Sequence, residues 1–184
     1  MIMIKEKKME NPALDGAKIA FITKCLENTP QQADFRYVNW GASKNQVKRT
    51  EAGTGPIWYE DENVISYETT FDTRSAIVSF CFDNDRLTEG VYGLQGTSDD
   101  YAAYSKSKAL FSSLFGTPVA TRELWTDESL KESLDQNTAI QLGKLQFFAM
   151  WETTRSRIGV SCVEKEERVV IHSIHYRSAI IADN

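Results

Sequence analysis

The stretch FRYVNWGASKNQVKRTEAG, residues 35–53, decides how this chain is read. Phe35, Tyr37, Val38 and Trp40 read as an apolar-aromatic strand, and Gly41 interrupts it. Ser43 then offers a hydroxyl to an unpaired amide of a first helical turn. Val47 gives that helix one apolar contact, and Gly53, with Gly55 and Pro56, closes it. A strand, a glycine and a helix in this order can present helix amides to a phosphate. Neither GxGxxG nor GxxxxGK[ST] is present, so the stretch reads as the start of a fold rather than a ligand cradle.

Outward from it, four short strands follow: IWYE (57–60), VISYETTF (64–71), SAIVSFCFD (75–83) and LTEGVYGLQG (87–96). Polar turns separate them, and one helix followed by such strands predicts an antiparallel meander. Upstream, residues 1–33 form an N-terminal tail and a short helix, with Ile19, Ile22 and Leu26 at helical spacing. Downstream, SDDYAAYSKSKALFSSLFG predicts the longest helix, with Ser98 as N-cap, Asp99 and Asp100 in its first turn, and Gly116 and Pro118 ending it. VATRELW (119–125) is a strand. A polar insertion (126–143) holds a short helix around DESLKESLDQN. KLQFFAMWETT (144–154), RIGVSCVEK (157–165) and RVVIHSIHYRSAI (168–180) complete the strands.

The two halves echo each other. Helix, Gly, Pro and strand occur as SKNQVKRTEAGTGPIWYE and again as SKALFSSLFGTPVATRELW. An aromatic-Glu-Thr-Thr tetrapeptide recurs at Tyr67–Thr70 and Trp151–Thr154, each time before an alternating strand that carries Cys81 or Cys162. The pattern predicts an α+β fold of two helix-plus-antiparallel-sheet repeats, residues 34–97 and 98–184, merged into one compact unit behind the N-terminal helix.

Composition narrows the functions. Of 184 residues, 41% are hydrophobic and 26% charged, an ordinary globular balance. The net charge of −5, from 21 basic and 26 acidic side chains, argues against a nucleic-acid or anionic-membrane partner. No apolar run approaches the ~18 residues of a membrane span. Ile19–Ile22 is bracketed by Lys18 and Lys24 and is too short for a signal sequence, and Lys24 before Cys25 spoils a lipobox. Read as it stands, the chain is cytoplasmic; with a leader removed, it would be periplasmic or of the cell envelope. Cys25, Cys81 and Cys162 lie far apart with no CxxC, and the only histidines are His172 and His175, so neither a metal site nor another cofactor is expected.

Candidate chemistry is sparse. His172 and His175, at i and i+3 of a strand, face opposite ways, one packed and one exposed. Ser161, Ser173 and Ser178 lie near them without a GxSxG elbow. Glu68 and Glu152 would make an acid–base pair only if the two sheets faced each other. Cys81 and Cys162 read as buried thiols. Aromatics are plentiful, and Trp58, Tyr67, Tyr92, Trp125, Trp151 and Tyr176 are the candidate binding residues, since an aromatic sheet face grips a protein or peptide well. A pocket for a small ligand between the repeats is the alternative, and a hydrolase a weaker one.

The segment DFRYVNWGASKNQVKRTE resembles one found in many uncharacterised, often exported bacterial proteins, of the form F-R-x-(I/V)-x-W-G-x-S-x-x-x-V-x-x-x-E. Phe35, Arg36, Val38, Trp40, Gly41, Ser43, Val47 and Glu51 stand at those positions. The resemblance implies helix-plus-antiparallel-sheet modules, sometimes in tandem, with beta-lactamase-inhibitor-protein-like and BamE-like folds the nearest named architectures. It implies no catalytic residue.

Overall fold

The computed structural model describes residues 33–165 and 169–181. The predicted N-terminal helix lies outside them, and the architecture that follows is that of the unit Asp34–Asn184. Its elements are α1 (Lys44–Thr50), β1 (Ile57–Glu60), β2 (Val64–Phe71), β3 (Arg74–Asp83), β4 (Arg86–Gln95), α2 (Asp100–Phe115) and β5 (Ala120–Trp125). A 3-10 turn (Glu128–Glu132) and α3 (Gln136–Gln141) lead to β6 (Leu145–Glu152), β7 (Ser156–Lys165) and β8 (Val169–Ser178). The strands form one eight-stranded antiparallel sheet in the order β1-β2-β3-β4-β8-β7-β6-β5.

Local chemistry sets the turns. Asp72 and Thr73 join β2 to β3, and Asn84 and Asp85 join β3 to β4, all four at positive φ between 46° and 69°. Two consecutive positive-φ residues match the twist of a tight hairpin. On edge strand β1 the register shifts between Ile57 and Tyr59, a bulge at Trp58. Asp99, not Ser98, caps α2, its carboxylate accepting from Ala102 N; the Ser98 carbonyl instead accepts from Asn137 Nδ2. α1 carries a full capping box, Ser43 with Gln46, and ends at Glu51, two residues before Gly53.

Strand periodicity then sorts the side chains. Along β3, Ala76, Val78, Phe80 and Phe82 are buried, while Ile77, Ser79 and Cys81 between them stay half-exposed. The register carries the buried set across the sheet: Val78 pairs with Tyr67 and Tyr92, Tyr92 with Ile174, Ile174 with Val160, and Val160 with Ala149. The helices cover this face, since Tyr104 of α2 stacks on Phe147 and Phe111 of α2 packs on Trp151. Val47 of α1 and Ala139 and Ile140 of α3 are fully buried with them. The opposite face, through Ile77, Ser79, Val91, His175, Ser161, Phe148 and Met150, remains half-exposed among the described residues.

Residues 35–40 are not the expected strand. A single bridge, Phe35 to Val38, closes a tight turn with Arg36 at φ 53°, and this aims Phe35, Val38 and Trp40 inward together. The turn lies over the seam between β4 and β8. Gly41 N donates to Leu87 O at 2.8 Å, and Trp40 Nε1 donates to Ser156 Oγ on β7 at 3.0 Å. Phe35 contacts Phe80, Tyr92 and Tyr176. Its ring fills the place where a Cβ on Gly90 would stand, only 2.2 Å from the Phe35 Cδ1.

The expected match of the two cysteines fails. Cys81 pairs with Val64 and Glu89 on the open face, whereas Cys162 pairs with Phe147 and His172 on the covered face. β4 and β8 lie between their strands, and both thiols are free.

Gly90→Ala overpacks the Phe35 seat and is expected to destabilise the protein by about 1–3 kcal/mol. Urea unfolding will show this as a lowered midpoint, and Phe35→Leu in the same chain should recover part of the loss.

Candidate functional site

The aromatics singled out in the sequence divide between the core and the sheet edges. Tyr67, Tyr92 and Trp151 are buried on the covered face at 3%, 9% and 1% exposure, so an approaching partner does not reach them. Tyr176 is half-buried against Phe35 and Phe111. Phe35 thus gathers Tyr92 and Tyr176, and Phe111 joins Trp151 to Tyr176. These rings pack against one another at the seam between the two groups of four strands. Trp58, 61% exposed, and the half-buried Trp125 lie on the opposite edge strands β1 and β5.

The FRYVNWG turn carries a polar clasp. Arg36 donates from Nε to Glu51 Oε1 at 2.9 Å, from Nη1 to Tyr92 Oη at 2.8 Å and from Nη2 to Thr54 Oγ1 at 3.2 Å. Glu51 is fully buried and also accepts from the Thr54 hydroxyl. Burial alone would lower the Arg36 pKa, but Tyr92 and then Glu51 more than reverse that and push it up. Asp34 accepts from Trp40 N and takes a two-pronged bond from Arg155 Nε and Nη2 at 2.6 and 2.7 Å. Three Arg36 donors and two Arg155 donors are engaged inside the protein, so the clasp ties this turn to the end of α1, to β4 and to the residue before β7.

A second polar cluster lies beneath α2. His172 Nε2 is 3.1 Å from Asp100 Oδ1 and 3.6 Å from Cys162 Sγ, with all three residues buried. Asp100 Oδ1 also accepts from Thr97 N, and Asp100 N donates to Asn137 Oδ1, which ties the start of α2 to α3 and β8. A nucleophile relay needs one imidazole nitrogen for the base contact and the other for its orienting acid. Here the same nitrogen serves both neighbours, and Nδ1 has no hydrogen-bond partner among the described residues. Burial pushes the Cys162 thiol up to about 12, which disfavours the thiolate that attacks. Burial also lowers the His172 pKa, against the opposing pull of its bond to Asp100. Sequence spacing gave no sign of this cluster, because its members come from three separate elements.

On the open face the side chains are set out by the ladder. Ser66 and Ser79 share a hydrogen bond at 2.8 Å, as do Ser161 and Ser173 at 2.7 Å. His175 lies 3.1 Å from Glu89 through Nδ1 and is half-exposed, while His172 is sealed below, so the two histidines do face opposite ways. Glu68 sits on β2 and Glu152 on β6, five strand spacings apart, or roughly 24 Å. That separation is far beyond the reach of a shared acid–base reaction. Ile77, Val91, Phe148 and Met150 supply apolar area between the polar groups.

Among the described residues no group of three or more His, Cys, Asp or Glu side chains is placed to hold a metal ion, and no helix is long and apolar enough to cross a membrane. No protein family, curated protein or solved structure matches this chain.

Glu51→Ala strands the Arg36 guanidinium, whose side chain is 14% exposed, and should cost about 3–5 kcal/mol in urea unfolding. The double replacement Arg36→Met with Glu51→Leu should return most of it. His172 has a depressed folded pKa, so the unfolded chain takes up the proton first. Its contribution is complete above about pH 6.5 and is lost as pH falls below that value. Unfolding midpoints measured from neutral to mildly acid pH should therefore fall more steeply for the wild type than for His172→Gln.

Proposed function

We propose that this chain is a non-enzymatic protein- or peptide-binding module, and that its recognition surface is the open face of the sheet. The observation that carries this reading is the contrast between the two faces. One is closed by three helices and the Phe35 turn. The other spans the strands as a half-exposed platform in which Ile77, Val91, Phe148 and Met150 alternate with hydroxyl and charged groups. An apolar patch rimmed by polar residues is the usual composition of an interaction surface. Trp58 and Tyr59, exposed on β1, extend the aromatic content at one edge. The buried aromatics serve this surface indirectly, by holding the platform rigid.

The same reading treats the platform as two copies of one unit, each a helix followed by four strands. Tyr67 and Trp151 sit on the second strand of each half, opposite Val78 and Ile158, which lie opposite Tyr92 and Tyr176 in turn. Exchanging the halves maps the pair Tyr92–Ile174 onto Tyr176–Gly90 and returns Val91–His175 to itself. This twofold agreement in register supports a duplication. In that alignment Cys162 corresponds to Phe82 and Cys81 to Ser161.

A random-peptide phage library selected against the whole chain tests the surface. Ile77→Glu should weaken the enriched peptides by about tenfold or more in fluorescence anisotropy, as expected for a charge placed at the centre of an interface. Trp58→Ala, at the edge, should change affinity by no more than about twofold. Peptides indifferent to Ile77→Glu would remove the open face as the binding surface.

A further inference from the structure

One row across the open face has the same order from either end, except that the charge changes sign. From β5 to β2 the residues facing one another are Arg122, Phe148, Ser161, Ser173, Gly93, Ile77 and Glu68. A cation and an anion stand at the two ends, a large apolar side chain lies inside each, and small residues occupy the middle. The central position, Ser173, is on β8, with three strands of the row on either side. Arg122 and Glu68 are six strand spacings apart, roughly 29 Å, so they do not meet within one chain. Both are exposed, and among the described residues neither side chain has an ion-pair partner.

The charge and size of the face narrow the choice of occupant. The chain carries −5, which keeps copies apart in general. Among the described side chains of β2 to β5, however, the open face is balanced. Glu68, Glu89 and Glu152 are matched by Arg122, Arg157 and Arg177, and Asp83 stands opposite Arg86. A balanced face offers no net attraction to a strongly charged partner, whereas charges of opposite sign at its two ends suit a reversed copy of itself. Eight strands at about 4.8 Å spacing, with roughly eight residues of about 3.4 Å each, give a face on the order of 900 Å². A stable complex of standard size takes about 800 Å² from each partner.

Building on the open-face reading, we propose that the partner is a second copy of this chain, packed face to face about a twofold axis running along β8. Rotation about that axis reverses the row. Arg122 of each copy then meets Glu68 of the other, Phe148 meets Ile77, and Ser161 meets Gly93. In the next row Met150 meets Ser79 and Gly159 meets Val91, so large side chains stand over small ones. One row further, Arg157 meets Glu89, while the two Arg177 side chains meet at the axis, each with Glu89 opposite it in its own sheet. The strands of the two sheets lie nearly aligned, as in a sandwich. A twofold contact is closed, so assembly stops at two chains.

Sedimentation equilibrium of the whole chain should show a monomer–dimer equilibrium, and Ile77→Glu should shift it to monomer. Arg122→Glu and Glu68→Arg should each weaken self-association by about tenfold or more, since each sets like charges against one another twice per dimer. An equal mixture of these two variants should recover a mixed dimer, visible by native mass spectrometry, because every 122–68 contact then joins opposite charges. Circular dichroism will confirm that each variant keeps its fold. A chain that stays monomeric at about 100 μM, where a micromolar dimer is largely assembled, overturns the second copy as partner. The open-face reading then stands if phage-selected peptides still respond to Ile77→Glu, and falls with it if they do not. A dimer indifferent to all three substitutions also overturns the proposal. One that they break but the mixture does not restore overturns the reversed alignment.

Discussion

Phe35 and Gly90 cannot be separated in this fold. The ring occupies the volume in which any side chain at position 90 would begin, and from there it touches Phe80, Tyr92 and Tyr176. Phe80 and Tyr92 come from strands of the first four, Tyr176 from the last strand of the second four. An antiparallel sheet twists progressively, and its middle is where two meanders could slide or splay. A large rigid ring wedged into a missing side chain fixes the seam between β4 and β8.

The polar clasp around Phe35 explains why the stretch beginning FRYVNWG is so organised. Arg36 must turn away from the core for Phe35 to enter, and Glu51 at the end of α1 receives it. Trp40 reaches Ser156, the first residue of β7, and Asp34 reaches Arg155 just before it. One short turn therefore binds the first helix, the first meander and the second. Each quoted position of the segment has a packing or bonding reason: Gly41 for its φ of 85°, Ser43 for the cap, Val47 for complete burial. The buried ion pair is a weak source of stability in itself, but either partner alone would be expensive to keep. This makes the clasp a device for choosing one arrangement, with hydrophobic contacts supplying most of the energy.

The strands were legible because period-two alternation survives without knowledge of partners; VISYETTF and IWYE match the observed limits to the residue. What alternation could not show is which face the helices cover. Tyr67, Trp151 and Tyr92 therefore read as candidates for contact with a partner, when their places in the register put them beneath α2 and the Phe35 turn. A one-residue offset had the same effect on the cysteines, since a shift of one position crosses the sheet. Phe35–Trp40 misled for another reason. A compact turn with Arg36 in the left-handed region buries residues at irregular spacing, and in a string of letters that resembles an extended segment. The Asp100–His172–Cys162 cluster had no local signature at all, because only the folded chain brings α2, β7 and β8 to one point.

The bulge on β1 has a consequence for life at high concentration. A flat outer strand carrying Ile57, Trp58 and Tyr59 would invite molecule after molecule to add to the sheet, the first step toward a fibril. The extra residue at Trp58 breaks the even spacing of outward-pointing amides and carbonyls, and a newcomer finds no regular template. At the far edge, Arg122 and Glu123 on β5 deny the same opportunity by charge. A sheet ended by irregularity on one side and by ions on the other can leave its broad face uncovered without growing.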